Sequence, residues 1–189
     1  PLCYAVLSPR LRAHRRLGST MHSKKPTELV KALKDALSIL NGAELPIGRA
    51  YALGFLCHYA LDSTAHPLVY FHEYRLCDAG EPGLSRADGS EVHSLIESEL
   101  DELTLFTRRG QTVATFDPSA EILKASDFVL HVVSKLYVYL ALTVYGEIVP
   151  ERLFTIAVKD FRAAQRFFHS PSGRKRALVG RLEQLARPF

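Results

Sequence analysis

The sequence predicts an all-α fold, a single-domain multi-helix bundle over residues 1–189. Three observations predict it. Apolar residues recur at helical spacing in one segment after another. Proline starts and glycine stops bracket those segments. The composition, 47 % hydrophobic and 23 % charged, is that of a chain that can bury one sizeable core.

The elements follow in order. Pro26-Thr27 opens a helix through Leu40, with Leu29, Val30, Leu33, Leu37 and Leu40 on its apolar face, and Asn41-Gly42 closes it. Pro46 suits the first turn of a long apolar helix. That helix is expected to run to about Ala65, because Pro67 disfavours helical geometry at His66. Cys77 to Gly89 reads as a loop, and Ser90 as the cap of a helix carrying Val92, Leu95, Ile96, Leu100, Leu103 and Phe106. Asp117-Pro118 is a further start and Gly146 a further stop. Between them Phe128 to Tyr145 is nearly long enough to span a membrane, but His131, Ser134 and Lys135 interrupt it, so a buried central helix is expected. Pro150 opens an amphipathic helix ending near His169, and after a turn at Ser170 to Gly173 a basic helix closes the chain.

A net charge of +4 is too small to argue for nucleic acid, and the sequence holds no RNA-reading aromatic motif and no zinc-finger spacing. Cys3, Cys57 and Cys77 are odd in number and never spaced as C-x2-C, which favours free thiols in a reducing compartment over a disulfide framework. Cys57 is assigned to the core. The chain begins at Pro1 with no signal-peptide pattern, and a segment preceding Pro1 is expected.

The chemistry-bearing residues form two half-motifs, His58-x3-Asp62-x3-His66 and His93-x3-Glu97. Residues four apart share a helical face, so each half can grip a cation. His66 lies about 12 Å along the axis from His58 and is rotated by about 80°, too far for one ion with bonds of about 2.0–2.2 Å. Two ions are therefore expected: one on His58 and Asp62 with His22 as the further ligand, the other on His66, His93 and Glu97. A charged Asp62 inside the apolar run Tyr51 to Leu61 is costly unless paired or metal-bound, which favours ligation over a surface contact. Two ions about 3.5–4 Å apart are the usual clamp for phosphoester hydrolysis.

The stretch from Leu53 to Pro67, LGFLCHYALDSTAHP, followed by His93-Ser94-Leu95-Ile96-Glu97, resembles the bacterial zinc-dependent phospholipase C family, in the superfamily that also holds the helical single-strand nucleases. The resemblance runs from about Gly18 to Asp101. It implies an all-helical fold, two or three zinc ions, and hydrolysis of phospholipid head groups by a water that zinc activates. It implies His22 and His58 as ligands of one zinc, Asp62 as a carboxylate bridging that zinc to a third, and His66, His93 and Glu97 around the second, with His72 as a substitute for His66. Asp62 and Glu97 are the catalytic candidates among them. The aspartate that family members carry before the His22 position is missing, His14 is a poor replacement, and no lipid-binding β-domain follows. The resemblance further implies a phospholipid or other phosphodiester substrate, while the small charge and the odd, unpaired cysteines argue for no specific nucleic-acid binding and for the cytoplasm or the membrane over secretion, with the N-terminus not visible. Two alternatives stay open: a helical zinc nuclease or phosphohydrolase, and a non-catalytic helical module stabilised by metal.

Other residues carry plainer expectations. Asp101 reads as a solvated helix face, with orienting a ligand histidine as the alternative, His131 as a hydrogen-bonded core histidine before a ligand, and His169 as a helix-end cation without a function. Tyr59, Tyr70, Phe71 and Tyr74 read as core, with a head-group pocket as the alternative. Arg174-Lys175-Arg176, Arg181 and Arg187 read as a solvated basic face, with peripheral contact to an anionic membrane surface as the alternative.

Overall fold

The computed structural model describes residues 9–122 and 124–168, and among these it is all-helical with no strand. The α-helices are α1 (Leu17–Ser23), α2 (Pro26–Asp35), α3 (Leu45–Cys77), α4 (Gly89–Arg109), α5 (Pro118–Glu121), α6 (Asp127–Tyr145) and α7 (Leu153–Phe168). They fall into two compact units: residues up to 56 together with those from 117 onward, and residues 57–116. The expected basic C-terminal helix, His169 and Cys3 lie outside the described residues.

In the first unit α6 is the central element. By length and composition it is apolar enough to cross a membrane, and it buries Leu130, Val132, Val133, Leu136, Tyr137, Leu140, Ala141 and Val144. Leu29 and Leu33 of α2 and Leu153, Phe154, Ala157 and Val158 of α7 share its core, with Leu11, Leu17, Met21 and Ala52. Two of the three polar interruptions of this helix have partners within the unit. Ser134 Oγ accepts from the Thr155 backbone N–H at 3.1 Å and lies 3.0 Å from the Thr155 hydroxyl. Lys135 Nζ donates to Glu44 Oε1 at 2.6 Å. Ser126 caps the start of α6 through the Val129 N–H, and Gly146, in the left-handed region at φ 67°, ends it. His131 is exposed rather than a core histidine, on the side of α6 away from the buried Val132 and Val133.

Several boundaries differ from expectation. The helix from Pro26 tightens into a 3-10 turn at Ala36–Ile39. Asn41 then serves the next helix, not the last one: its Oδ1 accepts from the N–H groups of Ala43 and Glu44. Asp117 caps only the short α5, so the long apolar helix starts afresh at Ser126. Pro150 precedes α7 by a turn, its carbonyl accepting from the Leu153 N–H at 2.9 Å.

The second unit is built from the later part of α3, the 77–89 connection and α4. Helix α3 does not stop at Pro67. It passes through the proline and reaches Cys77, 33 residues in all. A helix-interior proline forfeits a backbone hydrogen bond and costs roughly 3 kcal/mol. The turns beyond it offset this by burying Val69 and Cys77 and by linking Glu73 to His93 on α4. In the connection Arg86 donates to both carboxylate oxygens of Asp78, with Nε–Oδ1 2.6 Å, and its guanidinium lies 4.6 Å from the centre of the Tyr74 ring. Ser85 and Asp88 form the capping box of a 3-10 turn, Arg86–Asp88, that leads into α4 at Gly89, and Asp88, not the expected Ser90, stands at the N-cap of α4 without a side-chain cap bond.

Candidate metal centre

The second unit brings His66, His93 and Glu97 together. Glu97 Oε1 lies 3.3 Å from His93 Nε2, one turn away on α4, and 3.3 Å from His66 Nε2 on α3. One donor atom from each of the three lies within 4.8 Å of the other two. Two imidazoles and a carboxylate are a zinc donor set, and a tetrahedral ion with bonds of about 2.1 Å holds its ligand atoms about 3.4 Å apart. The two 3.3 Å edges match that figure, so the residues present fit the ion.

The packing around the cluster orients its rings. The His66 and His93 ring centres are 5.4 Å apart, and Tyr70 covers both, at 5.7 Å from His66 and 5.0 Å from His93. The His93 side chain is 18 % exposed and Glu97 47 %, so the cluster is walled on the α3 side and open to water at the carboxylate. On its inner side His93 Nδ1 lies 2.9 Å from Glu73 Oε2, within hydrogen-bond distance, and Glu73 is only 13 % exposed.

Glu73 is the residue that sequence reasoning missed. Seven positions after His66, it returns to the same face of α3 within about 20°. That signal is invisible once the helix is ended at Pro67.

His58 and Asp62 stand on α3 in the second unit, with His58 Nε2 3.7 Å from Asp62 Oδ2, beyond hydrogen-bond length. His22 lies near the end of α1, in the first unit, and is exposed. The burial argument for Asp62 does not hold. His58 is 61 % and Asp62 28 % exposed, and their neighbours Leu53 and Leu61 are about two-thirds exposed. An apolar run there implies no apolar environment, because this stretch of α3 is largely exposed. Cys57 is exposed for the same reason, not core. Tyr59, Tyr70, Phe71 and Tyr74 are each close to half exposed, not core. His72 lines a shallow apolar groove with Leu76, Leu95 and Leu103, away from the imidazole pair. His14 Nδ1 sits 2.7 Å from Glu147 Oε1 in the first unit. Asp101 is exposed.

Cys77, buried nearly three turns beyond the proline, lies outside the His66, His93 and Glu97 group. Burial pushes its thiol up, and the nearby Glu73 carboxylate pushes it further in the same direction, which disfavours the thiolate that metal binding requires.

Comparison of the chain with protein-family models, with curated proteins and with solved structures gave no match.

Proposed function

We propose that this protein is a zinc-dependent phosphodiester hydrolase of the phospholipase C type, with His66, His93 and Glu97 holding a catalytic ion. The observation that carries the proposal is the pair of 3.3 Å edges that His66 Nε2 and His93 Nε2 make with Glu97 Oε1. Three protein donors leave a fourth position free, which is the pattern of catalytic zinc sites, whereas structural sites close with four. The exposed side of Glu97 gives that position access to solvent and substrate. When bound, zinc supplies Lewis acidity towards a phosphoryl oxygen and lowers the pKa of water to about 7.

The chain's own residues do the rest. His66 and His93 supply neutral nitrogen donors from two helices, so α3 and α4 together fix the position of the ion. Tyr70 shields one side of both rings from water. Glu97, at the open edge, is placed to accept a proton from an approaching water. His58 and Asp62 form the pair that the resemblance assigns to a further ion, with Asp62 as its second catalytic carboxylate. A phospholipid head group is the substrate class that the resemblance supplies. The exposed rings of Tyr59, Phe71 and Tyr74 on α3 offer apolar and cation–π contacts to one.

The test combines metal analysis and turnover. Protein purified without chelator should carry at least about one zinc ion per chain and should release the phosphorylated head group from phosphatidylcholine. Less than one ion per chain ends the proposal. Zinc bound without hydrolysis of phosphatidylcholine or single-stranded DNA would favour a non-catalytic, metal-stabilised hairpin, a reading also supported by the way the donors join α3 to α4. Hydrolysis of single-stranded DNA alone would favour the nuclease branch.

A further inference from the structure

We infer that Glu73 is the positioning residue of this centre, accepting the His93 Nδ1 proton and thereby aiming the His93 Nε2 lone pair at the ion. The inference rests on the metal reading above and adds a residue to it. A neutral imidazole has one N–H and one lone pair, and the partner of one nitrogen decides which role falls to the other. Here the partner is a carboxylate at 2.9 Å, 13 % exposed, on the side of the ring opposite Glu97. The contact is long-range along the chain, joining residues 20 apart on different helices, so helix geometry alone does not produce it.

A second observation supports it. A Cβ added to Gly89 would lie 2.9 Å from Glu73 Oε1, and Gly89 has ordinary helical φ of −53°. The backbone there does not require glycine, and alanine is the better helix former. What glycine provides at the first position of α4 is room for the Glu73 carboxylate behind His93. Gly89 is thus part of the same support.

The experiment uses the full chain, stripped of metal, titrated with zinc chloride by calorimetry as wild type, Glu73→Ala and Gly89→Ala, with nitrogen NMR of the His93 ring before zinc is added. Carboxylates behind ligand histidines typically govern metal affinity by about 10- to 100-fold. Both variants should lose affinity on that scale while far-ultraviolet circular dichroism stays helical. Gly89→Ala should do so with the helix backbone unchanged, since the atom its Cβ would meet is the far end of the Glu73 side chain. The metal-free wild type should show the Nδ1–H form of His93, and Glu73→Ala should lose that preference. Zinc bound equally well by all three proteins overturns the role of Glu73 and leaves the centre standing. No zinc bound by the wild type overturns both.

Discussion

Glu44 is 3 % exposed and keeps its charge because its partners are fixed. The Lys135 ammonium donates to one carboxylate oxygen and the Asn41 N–H to the other, and together they hold the carboxyl below the usual glutamate value of 4.5. A group whose value is lowered by folding stabilises the folded state above its unfolded value and loses that contribution as pH falls through the lowered one. Glu44→Gln should therefore melt at a lower temperature than wild type at pH 7. The gap should narrow as the pH is taken from about 5 downward. A gap that stays constant with pH would show that the carboxylate charge contributes nothing. The histidines permit a similar comparison. His93→Ala removes a donor with two carboxylate contacts and should weaken zinc binding at this centre by more than about 100-fold, whereas His58→Ala, whose exposed ring sits 3.7 Å from Asp62, should leave that ion in place. Equal losses in a calorimetric titration would refute the assignment of His93. At this scale the sequence showed the donors and not their support. His66, His93 and Glu97 follow from helical spacing and residue chemistry. Glu73 required knowing that α3 continues through a proline, and the exposure of His58 required knowing what packs on the helix.

Pro67 is the clearest conflict between local preference and final structure among the elements. Proline removes the N–H that would bond to Ser63, and its ring disfavours helical geometry at His66. The helix persists because the turns after it are anchored through Val69, Cys77 and Glu73. The Ser63 and Thr64 hydroxyls donate to the Ala60 carbonyl at 2.9 and 2.8 Å, holding the turn before it. Pro67 itself is exposed, so Pro67→Ala sacrifices little packing and regains a backbone bond. We expect the variant to be more stable by about 1–3 kcal/mol in denaturant unfolding. A less stable variant would mean that the proline is required to place the turns that follow. The other helices show why boundaries were only partly legible. Gly146 as a stop and a buried α6 follow directly from composition. The Asn41 and Ser126 starts were hidden because a cap is chosen by which N–H groups lie nearby, and Asn41 has candidates on both sides.

The two units of the molecule differ in how they are held together. The first has a continuous core in which α6 touches α2 and α7, with stacked Tyr137 and Phe154 rings 4.7 Å apart and the Tyr51 and Tyr137 hydroxyls 2.8 Å apart. The second buries few large apolar side chains, Val69 and Val92 chief among them, while Leu61, Leu68, Leu95, Leu103 and Phe106 are half exposed or more. Regions with little buried apolar surface open locally at low free-energy cost. The polar contacts between α3 and α4 therefore carry more of the second unit's stability than such contacts do in the first. The ion proposed for His66, His93 and Glu97 would bridge those same two helices, and binding that favours the closed form would stabilise it by about 2.7 kcal/mol at a zinc concentration 100 times Kd. We accordingly expect zinc to slow amide hydrogen exchange in residues 66–77 of α3 and 89–100 of α4 by up to about 100-fold, and a chelator to reverse it, with exchange in α6 unchanged in both conditions. Mass-spectrometric exchange on the intact chain resolves these segments. Uniform slowing across α6 and α4 would place the ion elsewhere. No slowing in α4 would mean that the cluster, although correctly spaced, does not tie the hairpin together.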